Sequence, residues 1–108
     1  MALATETRTL TFKGASGVTY VLYLYPLGTD FKELPGVYVV MRKDPNQYTV
    51  VYVGQTENLA ERFDAHHKWD CMTRQRSDFI AVIVERNEAQ RLAMENDLIT
   101  AYDPPCNG

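Results

Sequence analysis

GVYVVMRKDPNQYTVVYVG, residues 36–54, decides the fold. Residues 36–42 and 48–54 are rich in β-branched and aromatic side chains. Lys43, Asp44, Pro45, Asn46 and Gln47 between them are turn chemistry, so the stretch predicts a β-hairpin. With Arg42 set opposite Tyr48, Val40 meets Val50 and Tyr38 meets Tyr52, which places both tyrosines on one face of the sheet.

Upstream, residues 9–27 alternate in polarity around Gly14, Ala15, Ser16 and Gly17, and predict a second, N-terminal hairpin. Pro26, Gly28 and Pro35 punctuate the connector between the hairpins. Downstream, Thr56 is expected to cap a helix that begins at Glu57 and carries Leu59, Arg62, Phe63 and His66. Arg62 and His66 are four residues apart and project from one side of it. Residues 69–77, with Arg74 and Arg76, suggest an irregular polar connector, and residues 79–84 a buried strand. A last helix is expected over residues 87–101, ended by Asp103, Pro104 and Pro105. Leu92, Leu98, Ile99 and Tyr102 form its expected apolar stripe, and Glu95 falls inside that stripe. A carboxylate on an inward face is costly unless it is paired or ligates a metal. The sum is an α+β fold, a small mixed or antiparallel β-sheet flanked by helices, with residues 1–108 as a single domain.

Composition agrees with one ordinary globular domain: 108 residues, 45% hydrophobic and 23% charged. No apolar run approaches the roughly 20 residues that span a bilayer, and the first residues lack the order of a signal peptide, so an intracellular, cytoplasmic protein with no membrane partner is expected. Cys71 and Cys106 are too few for a disulfide framework and are expected as inert free thiols; with His66 and His67 they match no zinc spacing. The net charge of −3 is the wrong sign for a broad grip on duplex DNA. Its distribution is uneven, however. Residues 42–76 hold Arg42, Lys43, Arg62, Lys68, Arg74 and Arg76 with both histidines, whereas residues 77–108 hold the acidic excess. An anionic partner is expected on the middle segment.

Gly36-Val37-Tyr38, then Tyr52-Val53-Gly54, then Arg62, Glu95 and Asn107 in that order resemble the signature of GIY-YIG nucleases. The likeness covers residues 35–107, about two thirds of the chain, and leaves the N-terminal hairpin outside the common module. It implies a divalent-metal-dependent endonuclease that hydrolyses DNA phosphodiester bonds, with Glu95 holding one Mg²⁺ or Mn²⁺ and Arg62 the scissile phosphate. Tyr38, Tyr52 and His66 become candidates for orienting and deprotonating water, with the base left between Tyr38 and His66. Asn107 would anchor the terminal loop against the site through its amide. Arg62, His67, Lys68, Arg74 and Arg76 are the expected substrate contacts.

Two positions depart from the common pattern. Gln55 stands where many members have lysine, and His66 resembles the restriction-type branch. With no added groove-entering helix or zinc module, single-stranded or structured DNA is the favoured partner. Duplex DNA is the alternative, cut by a homodimer rather than a monomer. A non-catalytic nucleic-acid-binding module is the competing class.

Overall fold

Alternating and β-branched runs give the strands, and turn residues separate them. A computed structural model describes residues 8–62 and 68–108, with the Arg62 side chain outside that set. Five strands, β1 (Arg8–Lys13), β2 (Thr19–Pro26), β3 (Gly36–Lys43), β4 (Tyr48–Thr56) and β5 (Phe79–Val84), form one sheet in the order β1-β2-β5-β3-β4. Every neighbouring pair is antiparallel, so the sheet is antiparallel rather than mixed. Helices α1 (Leu59–Arg62), α2 (Trp69–Arg74) and α3 (Glu88–Tyr102) and a 3-10 turn (Pro105–Asn107) complete the described elements.

The β3–β4 hairpin forms as expected, but in a different register. Near the turn Lys43 faces Tyr48 and Met41 faces Val50; beyond it Val40 faces Tyr52 and Tyr38 faces Gly54. Val51 is the extra residue, a β-bulge. Had the turn-end register continued, Tyr52 would lie opposite Val39 and point away from Tyr38, because a one-residue slip exchanges the faces. The bulge restores the shared face.

Each face of the sheet carries its own core. On one, Phe12, Leu22, Val37, Val39, Met41, Val53 and Ala81 pack with Met94 and Leu98 of α3. On the other, Tyr38, Val40, Tyr52, Ile80 and Val82 pack with Leu59 of α1 and Met72 of α2.

Several expectations need correction. Asn58, not Thr56, caps α1: its Oδ1 accepts from the amides of Ala60 (3.0 Å) and Glu61 (3.3 Å), so the helix starts at Leu59. Thr56 is still in β4, and its hydroxyl accepts from the Asn58 amide instead. Residues 69–74 are helical rather than irregular, since Trp69 and Met72, three apart, both turn into the second core. On α3 the buried residues are Arg91, Met94 and Leu98, whereas Leu92 and Tyr102 are exposed. Tyr102 packs edge-on to Phe12 at the rim, and its hydroxyl accepts from the Lys13 amide. Asn87 caps this helix by accepting from the Gln90 amide.

The N-terminal hairpin is tied to α3 by one carboxylate. Asp97 accepts from the Ser16 amide (2.8 Å), the Ser16 hydroxyl (2.7 Å) and the Tyr20 hydroxyl (2.7 Å). The Tyr20 bond, then the two from Ser16, hold the Asp97 carboxyl below its ordinary value of 3.8. A lowered folded value means that this contact stabilises fully above about pH 4 and is lost as pH falls through the folded value. Asp97→Asn is therefore expected to lower the melting temperature near neutrality and flatten its fall on acidification. Thermal melts between about pH 2 and 6 check this. Part of the acid limb should persist through Asp44, which hydrogen bonds from Thr49 and Arg42 also hold low.

Candidate active site

Both signature tripeptides lie at the end of the β3–β4 hairpin away from its turn. Their glycines answer to close approach. A Cβ on Gly36 would strike the Ile83 carbonyl oxygen, and one on Gly54 would strike the ring and hydroxyl of Tyr38. Tyr38 lies across the sheet onto Gly54 and is fully buried, 0% exposed, while Tyr52 retains 6%. The two rings stand 6.0 Å apart, tilted by 34°. The helix that follows β4, α1, carries Arg62 as its last described residue, and Leu59 of that helix packs in the core of the two tyrosines.

β4 is an edge strand, and its outward backbone groups need partners. Asn107 supplies them. Its Oδ1 accepts from the Val53 amide (2.8 Å) and its Nδ2 donates to the Val53 carbonyl (2.8 Å), as a neighbouring strand would. The terminal turn is thereby clipped beside Tyr52. A second fastening is the Cys71–Cys106 disulfide, which joins α2 to the same turn with Cα atoms 5.7 Å apart. This corrects the expectation of free thiols: the chain is folded so that residues 35 positions apart meet, which no sequence spacing announces. It also removes both cysteines from any zinc set.

Glu95 is half-buried at the margin of the inward face of α3. One turn before it, Arg91 is buried, 3% exposed, with Nε donating to Gln55 Oε1 (3.0 Å) and Nη1 to the carbonyls of Glu85 (3.0 Å) and Arg86 (3.1 Å). An arginine on a helix is ordinarily solvent-facing, and in the sequence only its place four residues before Glu95 hints otherwise. Among the described residues no three His, Cys, Asp or Glu side chains cluster as metal ligands.

Of the expected substrate contacts, Lys68 directly precedes α2 and is half-buried. Arg74 and Arg76 are exposed at the other end of α2, where Arg42 donates to the Gln75 carbonyl. That is the turn end of the hairpin, about 13 Å along the strand from Tyr38 at roughly 3.3 Å per residue. These two arginines are not brought to the tyrosines. His66 and His67 lie outside the described residues, as does the side chain of Arg62.

The profile of the UvrC-like GIY-YIG domain matches residues 34–108. The UvrABC system protein C of Chlamydia trachomatis is 36% identical over 85 residues, 72% of this chain and 14% of that protein. The protein of the same name from Acinetobacter baylyi is 33% identical over 82 residues, 69% of this chain and 13% of its own length. The chain thus spans about a seventh of the length of the relatives it matches.

Two stability effects are expected. Gly54→Ala should destabilise by about 1–3 kcal/mol, because the Tyr38 ring must shift in a packed core. Cys106→Ser should cost about 4 kcal/mol through lost loop closure. Denaturant titrations of both variants, with wild type measured with and without reductant, check these values.

Proposed function

Because this chain belongs to the UvrC-like GIY-YIG domain family, a family of nucleases, we propose that it is a divalent-metal-dependent endonuclease of single-stranded or structured DNA. The observation that carries this reading is the pairing of Tyr38 and Tyr52, 6.0 Å apart, on the face from which α1 leaves with Arg62. Asn107 pins the strand that holds Tyr52.

Phosphodiester hydrolysis needs an activated water, positive charge at the leaving oxygen and donors for the phosphate. Glu95 offers a hard oxygen donor, half-buried, and one carboxylate suits Mg²⁺ or Mn²⁺, since magnesium keeps several of its waters. The ion, when bound, supplies Lewis-acid charge. Arg62 holds the scissile phosphate, because a guanidinium stays charged and presents several donors in a fixed fork. Tyr38 is sealed over Gly54 and acts by holding its neighbour in place. Water activation then falls to Tyr52, the phenol with remaining exposure, or to His66, whose unperturbed value of about 6.5 suits a base at neutral pH.

A flexible strand suits this acidic chain better than an intact duplex, because fewer phosphates need to be gripped at once. A monomer suffices for cutting one strand. Action on DNA implies the cytoplasm, where the Cys71–Cys106 bond meets reducing thiols, and the hydrogen bonds of Asn107 to Val53 and the burial of Cys106 beside Tyr52 hold the terminal turn to β4 without it. No helix among the described residues is long and apolar enough to cross a membrane.

Labelled single-stranded, flapped and duplex DNA, incubated with Mg²⁺, Mn²⁺ or EDTA and resolved on denaturing gels, test the proposal. Metal-dependent cutting is expected, reduced at least about a hundredfold in both Glu95→Ala and Arg62→Ala. Glu95→Ala should retain the wild-type fold by circular dichroism. No cutting of any substrate in either metal would move the chain to a non-catalytic binding module.

A further inference from the structure

The N-terminal hairpin precedes the segment matched by the family, residues 34–108. It is nonetheless built firmly into the sheet. Phe12 and Leu22 are buried against α3, and Asp97 fixes the turn. Its other face is left open: Val21 is 49% exposed, Tyr23 47%, and Val84 on the adjoining β5 45%.

That open face continues into the candidate site. Thr9 pairs with Tyr23, Tyr23 with Val82, Val82 with Tyr38 and Tyr38 with Gly54, a single row across all five strands. The next row runs from Tyr25 through Ile80 and Val40 to Tyr52. Strands lie about 4.8 Å apart, so Tyr23 stands about 10 Å from Tyr38. A groove of about 600 Å³ occupies the boundary between the open and covered halves, lined by Tyr23, Tyr25, Phe31, Lys32 and Val84 and with Asp30 at its wall.

Charge is sorted on this surface. The exposed strand residues of this face, Thr9, Thr11, Lys13, Thr19, Val21, Tyr23 and Val84, include no carboxylate, in a chain with more acidic than basic residues. Lys13 and Lys32 stand at its edges, and both are exposed. An unpaired nucleotide has the complementary chemistry: a neutral aromatic plane for a ring on a sheet, and a phosphate for a flanking lysine. A paired duplex keeps those planes stacked on one another.

We propose that the open half of the sheet is a stacking platform for one or two unpaired nucleotides adjoining the cleaved phosphate, with Tyr23 supplying the aromatic plane. The proposal depends on the nuclease reading for its substrate, but binding tests it without cleavage. The measurement is fluorescence anisotropy of labelled oligothymidylate and of a blunt hairpin duplex, in EDTA, with wild type, Tyr23→Ala and Tyr23→Phe. Oligothymidylate affinity should fall about fivefold or more in Tyr23→Ala and return in Tyr23→Phe, while duplex affinity changes less than twofold. Tyr23 is half exposed, and melting curves verify that both variants fold.

Equal affinity of wild type and Tyr23→Ala for oligothymidylate, or no binding by wild type, overturns the platform even if cleavage is seen. Tyr23-dependent binding without cleavage by wild type would keep the platform and sink the nuclease reading. A wild-type dimer that Tyr23→Ala converts to monomer in sedimentation would mean that a second copy covers this face, and would also overturn the proposal.

Discussion

One inserted residue, Val51, sets the geometry on which the candidate site depends. Were Val51 paired with Val40 instead of bulged, β4 would keep the register of the turn, and Tyr52 would join Val39 in the core under α3. With Val51 bulged, Tyr52 lies on the face of Tyr38, and Gly54 comes opposite Tyr38 where its missing side chain accepts the ring. Val53, between them, then pairs with Asn107 through the backbone groups on the outer edge. A bulge strengthens local twist and re-aims the side chains that follow it. Here it re-aims a whole tripeptide.

The readily legible features of the chain are the local ones. Both hairpins, β5 and α3 follow from period-two alternation, turn residues and a capping asparagine, all of which act within a few positions. The shared face of Tyr38 and Tyr52 was readable even though the register was not, because the expected pairing and the actual one beyond the bulge differ by two residues and so keep the same faces. Tertiary features stayed hidden. α2 is one short turn-and-a-half whose only inward residues sit in a polar stretch, and the Cys71–Cys106 bond depends on chain folding that brings α2 to the terminal turn. The buried stripe of α3 is displaced from the one marked by its largest apolar residues, since a buried arginine occupies its first turn. In the candidate site, the tyrosine pair and the clip by Asn107 were approached through motif spacing, whereas the partners of Arg91 could not be.

α3 works as a crossbar with two polar anchors. Arg91 fastens it to the end of β4 and to the strand–helix connection, and Asp97 fastens it to the turn of the N-terminal hairpin. Glu95 lies between these anchors in sequence, four residues after one and two before the other. Both anchors are hydrogen bonds of a charged group to fixed partners, which are stronger and more directional than neutral ones. Such a helix resists sliding along the sheet, and the half-buried carboxylate is held at a set height beside β4. On the proposed reading, a carboxylate that held a metal ion would gain from that support, because its position would be set by the helix that carries it.

Gln55 and Arg91 are then one feature rather than two. A lysine after the second tripeptide would face the guanidinium of Arg91 with another cation and could accept nothing from it. Glutamine accepts from Nε and completes the neutral set of acceptors that a buried arginine needs. The positive charge beside residue 55 thus belongs to Arg91 of the helix, where it is 3% exposed and bound to the protein itself. On the proposed reading, Gln55 offers no cationic contact to a substrate backbone, and its bond to Arg91 instead fastens the helix that carries Glu95. If the substrate is the unpaired strand proposed above, a site with fewer phosphate contacts would draw more of its affinity from the bases, and the exposed ring of Tyr23 lies on the same side of the sheet as Tyr38 and Tyr52.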